Sequence, residues 1–153
     1  MRTHIAEVLA RESAALAMVT DSAELAGWRR QVVEELTTPS SPYALAMRET
    51  SDVRARADFL DQWRELIAET IGRLVRSRAT DGERQASDRS READSCAQAT
   101  AVLILAALQG GSTLSRIARD PRPLDAALDL ALMPFTAAED DVLGSERRGD
   151  EMK

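Results

Sequence analysis

The chain has 153 residues, enough for one domain with a real core, and its 44% hydrophobic and 30% charged content is that of a folded globular protein rather than a disordered one. A net charge of −6 argues against a nucleic-acid-binding surface, which would carry a basic patch. Aromatic residues make up only 3%, so helices are favoured over sheet, whose strands are enriched in β-branched and aromatic side chains.

In chain order, residues 2–18 place Ile5, Val8, Leu9 and Leu16 on one side, an amphipathic helix whose apolar face is interrupted only by Glu12. Asp21 or Ser22 caps a second helix, with Glu24 in its first turn and Leu25, Trp28, Val32 and Leu36 at helical spacing. Residues 37–42 (TTPSSP) break the chain, and 43–48 hold at most about two helical turns. Ser51 and Asp52 cap a long helix over 52–77, whose buried stripe is Phe59, Leu60, Trp63, Leu66, Ile67, Thr70, Ile71 and Leu74. Gly72 lies on that stripe, where it would permit a close helix contact. Residues 76–94 contain no large apolar side chain and balance five arginines with five acids, which predicts a solvated loop too neutral to be a DNA-binding arm.

The run from Ala101 to Asp120 is the most apolar in the chain. Its Val102, Leu103, Leu105, Leu108, Leu114 and Ile117 spread around much of the helix circumference, so it is expected to be buried on more than one side. A second copy of the chain is the simplest partner for the side its own core does not use. Asp120, Pro121 and Asp125 mark the start of another helix, with Leu124, Leu128, Ala131 and Leu132 on one face. Pro134 lacks a donor and collides with the carbonyl of residue 130, so this helix should end or kink there. Residues 138–153 read as a charged, disordered tail, leaving 1–137 as one domain.

Little in the sequence speaks for catalysis. His4, the only histidine, sits near a fraying end and reads as a surface residue. Cys96, the only cysteine, has no basic partner and reads as a buried, inert thiol. No metal site is expected, since Asp140 and Asp141 lack a Glu-x-x-His partner, and no cofactor is implied. Gly110-Gly111-Ser112-Thr113 lacks the lysine and preceding strand of a phosphate loop and reads as small residues that let helices approach. The uncharged run from Ser95 to Ser115 is interrupted by Gln98, Thr100, Gln109, Ser112 and Thr113. With no signal peptide in view, it reads as a buried helix of a cytoplasmic protein rather than a membrane span. Met18, Trp28, Tyr43, Met47, Phe59 and Trp63 hold most of the large adaptable side chains, which either line an apolar ligand pocket or fill a bundle core.

The run AVLILAALQGGSTLSR from Ala101 and the RDPRPL turn from Arg119 to Leu124 resemble the last two helices of tetracycline-repressor (TetR) type transcriptional regulators. Ser41–Met47 is similar to a segment of the branch with a drug-efflux-regulator type C-terminal domain, with Ser41 where a cysteine is common. The resemblance spans about residues 1–136 and implies an all-α bundle of about six helices that dimerises through the last two. Val102, Leu105, Gln109, Thr113, Leu124, Leu128 and Leu132 would then contribute to the self-interface. Trp28, Tyr43, Met47, Phe59, Trp63 and Met133 would line or border a pocket for a small apolar or amphipathic effector. These regulators carry an N-terminal helix-turn-helix head that this sequence does not show, residue 1 falling near the helix that links head to body. The expectation is therefore an effector-binding and dimerisation domain without DNA binding of its own, pairing with itself or with a full-length paralogue. The alternative is a structural or interaction bundle that binds nothing small.

Overall fold

In the computed structural model the described residues are 2–49, 51–78 and 86–147, with side chains described for 3–49, 51–78 and 88–136. They form six helices and no strand: α1 (Arg2–Ala17), α2 (Ser22–Thr37), α3 (Pro42–Arg48), α4 (Val53–Arg78), α5 (Ala86–Ala118) and α6 (Arg122–Arg147). The all-α bundle of about six helices is thus what the chain adopts. Helix α5 packs most extensively, against α4 on one flank and α6 on the other, while α1 lies on α3 and α4, and α2 bridges α3, α5 and α6.

Each boundary has a local cause. Asp21 is the N-cap of α2, its carboxylate accepting from the Glu24 amide at 2.8 Å. Glu24 reaches back to accept from the amide and hydroxyl of Thr20 at 2.6 and 2.8 Å, so two otherwise orphan donors are satisfied reciprocally. Ser41 caps α3 by accepting from the Ala44 amide at 3.1 Å, with Pro42 in the first turn where its missing donor costs nothing. Asp52 does the same for α4 through the Ala55 amide at 3.0 Å.

The core follows the apolar periodicity. Leu25, Trp28, Val32 and Leu36 of α2, then Phe59, Trp63, Ile67, Ile71 and Leu74 of α4, are buried as the spacing predicts. Helix α5 adds Ala97, Ala101, Ile104 and Leu108, and α6 adds Leu124, Leu128, Ala131, Leu132 and Phe135. Gly111 is where α5 and α6 come closest: a Cβ there would lie 2.9 Å from the Leu124 Cα, so only glycine fits without moving backbone. At Gly72 a Cβ would first meet the guanidinium of Arg76, 3.2 Å away, a flexible group and not the backbone of another helix.

Three expectations are corrected. Residues 86–94 are helical, not loop. Alanine, arginine and glutamate there are good helix formers that extend a helix nucleated further on, and Asp94 pairs with Arg76 of α4 at 3.1 Å. Periodicity is silent on such a segment because it buries nothing large. Pro134 lies inside α6, which continues to Arg147 rather than ending at the proline; 148–153 lie outside the described residues. Pro134 sits on the exposed side, where water can reach the Leu130 carbonyl it leaves unpaired. Cys96 is exposed rather than buried, because it faces away from the α4–α5 contact that buries its neighbour Ala97.

Candidate functional site

The aromatic residues offered as pocket lining converge on something else. Glu12, on the apolar face of α1, is 1% exposed and accepts three hydrogen bonds: from Tyr43 Oη to its Oε1 at 2.7 Å, and from Trp28 Nε1 and Trp63 Nε1 to its Oε2 at 3.0 and 2.8 Å. The chain has two tryptophans and one tyrosine, so every indole N–H and phenol O–H it owns is spent on one carboxylate. Burial pushes the Glu12 carboxyl above its ordinary range, and the three donors oppose that shift without cancelling it. Tyr43 is held well above its ordinary value, first by its own burial and then by the Glu12 charge, so it stays protonated and able to donate. Phe59 and Tyr43 pack on the Trp63 ring at centroid distances of 5.5 and 6.0 Å. Trp28, Tyr43, Phe59 and Trp63 therefore form a filled core around a buried acid.

Open space lies beside this core. A cleft of about 570 Å³ opens between the α2–α3 turn, the first turns of α4, and the end of α5 with the turn into α6. Its apolar wall is Leu36, Pro39, Ala44, Met47 and Pro121, and its polar wall carries Arg48, Arg56, Arg116 and Arg119. Of the expected pocket residues only Met47 lines it; Gln109 and Thr113, expected at a self-interface, line it too. Met133 is 51% exposed on α6 and does not line this cleft.

The turn that closes the cleft has an unusual residue in a standard place. Helix α5 ends in a Schellman geometry, the Asp120 amide donating to the Ser115 carbonyl at 3.0 Å. The left-handed position that this requires is taken by Arg119 at φ 54°, where glycine is usual. An L-residue there costs about 1–2 kcal/mol. The Ser115 hydroxyl accepts from the Leu124 amide at 3.0 Å, and Asp120 accepts from the Arg122 amide at 3.0 Å, so the first turn of α6 is capped from the end of α5.

The electrostatics of the cleft are one-sided. Asp120 is its single acid, and the Arg122 side chain, bonded to it at 2.6 Å, holds its carboxyl below the usual range. Arg48 donates to the Ala44 carbonyl at 3.2 Å and also to that of Pro39, and Arg56 donates to the Glu49 carbonyl at 2.8 Å. Among the described residues the side chains of Arg116 and Arg119 have no hydrogen-bond or ion-pair partner. A wall of four guanidinium groups opposite one neutralised carboxylate, in a chain of net charge −6, is a local reversal of sign. Its lining holds no histidine, cysteine or lysine; the groups present are guanidinium, hydroxyl and the Asp120 carboxylate. His4 is half-buried on α1, with no nucleophile bonded to it.

The second feature is the outer side of α5 and α6. At about 100° per residue, Val102, Leu103, Ala106, Gly110, Leu114 and Ile117 share the arc opposite the buried one, and no charged residue falls on it from Cys96 to Ile117. Helix α6 continues the surface with Ala126, Leu130 and Met133, and the large members are each half or more exposed. Leu124, Leu128 and Leu132, expected at the interface, point the other way: they are 0%, 0% and 2% exposed, the α6 stripe that α5 and the rest of the core bury. Leu105 is partly buried against the same core, and Val102 alone of the apolar interface set is freely exposed. Helix α5 also holds, within Asp88–Ala118, a stretch long and apolar enough to cross a membrane by length and composition. A core helix with one open apolar side passes the same test. Comparison with known families, curated proteins and solved structures finds no family model, curated relative or solved structure that matches the chain.

Proposed function

We propose that this chain is the effector-binding and dimerisation domain of a transcriptional regulator of the tetracycline-repressor type, working in the cytoplasm as a homodimer. The observation that carries the reading is the outer side of α5, apolar and uncharged from Cys96 to Ile117 and exposed in one chain, together with the exposed Leu130 and Met133 of α6. Apolar surface of this extent, held on two adjacent rigid helices, favours burial against a copy of itself, where the same patch is self-complementary about a two-fold axis. The partner face is Val102, Leu103, Leu114, Ile117, Leu130 and Met133; Leu124, Leu128 and Leu132 support it from beneath. A membrane is the poorer partner, because the rest of α5 is wrapped by α4 and α6, and Arg116 stands in the same segment.

The regulatory half of the reading rests on the cleft. It joins the α2–α3 turn to the α5–α6 turn, so a ligand seated there bears on the helices that carry the proposed dimer face. A regulator of this type needs that linkage, a ligand shifting the population between two dimer geometries. The filled aromatic core favours the second reading, a bundle that associates and binds nothing small; failure of every ligand class to raise the melting temperature would select it.

The test is functional. A DNA-binding head that represses only when paired, joined ahead of Met1, should repress a reporter. Leu114→Glu with Leu130→Glu, both at exposed positions, should abolish repression while leaving the fold intact. Absence of repression by the unmodified chain, or repression undiminished by the double substitution, would contradict the proposal.

A further inference from the structure

The cleft also says what kind of molecule it takes. We infer that its ligand is a small amphipathic anion, a carboxylate or phosphate ester on an apolar tail, with the anionic head on Arg116 and Arg119 and the tail against Leu36, Ala44 and Met47. This rests on the ligand-binding half of the function proposed above and narrows it to a chemical class.

Charge and availability carry the argument. Arg48 and Arg56 spend donors on backbone carbonyls and stiffen the rim. Arg116 and Arg119 come from the last turn of α5 and the residue after it, line the cleft, and keep their whole forks free among the described residues. The planar guanidinium matches the two oxygens of a carboxylate or phosphate better than any other cation does. The single acid in the cleft is already engaged by Arg122, so nothing competes for the pair. A cationic ligand would meet four like charges, and a neutral one would leave them unanswered. The volume, about 570 Å³, suits a ligand of drug-like size and is far too small for a folded partner. Arg119 sharpens the case: it holds a left-handed backbone position that glycine would occupy without strain, yet a charged side chain stands there facing the cleft.

That same residue supplies a variant that cannot fail by misfolding. Arg119→Gly relieves the backbone and removes one guanidinium, so it should melt no lower than the parent chain and yet bind anions more weakly. Isothermal titration calorimetry on the full chain would use decanoate and decyl phosphate as the two anionic arms, with decanol and decyltrimethylammonium as neutral and cationic controls. We expect at least one anionic probe to bind well above both controls, and Arg119→Gly and Arg116→Gln each to weaken it about tenfold. Which arm is tighter identifies the head group. Equal binding of decanol, preference for the cation, or unchanged affinity in both arginine variants would overturn the inference and leave a ligand-binding cleft of another class. No binding by any of the four probes would overturn the inference and count against the ligand-binding reading, while the proposed dimer would still stand or fall by its own test.

Discussion

Glu12 offers the sharpest energetic test of the architecture. With alanine at 12, Trp28 Nε1, Trp63 Nε1 and Tyr43 Oη lose their common acceptor in a dry site. Each buried donor left unmet costs about 1–3 kcal/mol, so the three together should make Glu12→Ala lose roughly 3–9 kcal/mol, a large part of the stability of a domain this size. Glu12→Gln should behave differently. The amide oxygen can take the place of Oε2 for the two indoles, more weakly than a carboxylate does, while the amide nitrogen can only donate to Tyr43 Oη, so one donor rather than three loses its acceptor. The pH dependence has a definite sign. Because the folded-state pKa is raised, the contribution of Glu12 is fully present below its unfolded value near 4.5 and is lost as pH rises through the folded value. The glutamine variant should therefore lack this descending component and lose less stability than the alanine variant. Urea unfolding followed by tryptophan fluorescence reads this directly, since both tryptophans bond to the residue changed. A loss below about 1 kcal/mol for Glu12→Ala, or the same pH slope in Glu12→Gln as in the parent, would refute the account of a buried acid held by three donors.

Two further expectations test the packing. Gly111→Ala puts a Cβ 2.9 Å from the Leu124 Cα and should destabilise by about 1–3 kcal/mol, whereas Gly27→Ala, with nothing within 4 Å, should stabilise by about 0.5–1 kcal/mol; paired thermal melts separate them. Leu128→Ala should cost about 2–5 kcal/mol in urea unfolding as a core cavity, without a selective effect on association, because that residue faces inward.

Much of the fold was legible in the sequence. The stripes of α2 and α4, the caps at Asp21 and Asp52, and the turn from Asp120 into α6 are local signals, and local signals sufficed. What escaped is non-local. Leu124, Leu128 and Leu132 announce a buried face, but spacing cannot say whether the covering partner is α5 of the same chain or a second molecule. The outward side of α6 carries only two large apolar residues, Leu130 and Met133, too few to make a stripe that spacing alone would reveal. The cleft draws its arginines from three separate segments and has no contiguous motif. Glu12 did leave a trace: an acid on the apolar face of α1, in a chain whose few polar-tipped aromatics had no evident acceptor. Matching that acid to those donors would have placed it.

The central claim is that the outer face of α5 and α6 joins two copies of this chain, and sedimentation equilibrium of the full chain at micromolar concentrations tests it most directly. The account predicts a mass twice the 16.7 kDa of one chain, falling to one chain when Leu114 and Leu130 are both replaced by glutamate. A single-chain mass for the unmodified protein, or a double mass that survives both substitutions, would contradict it.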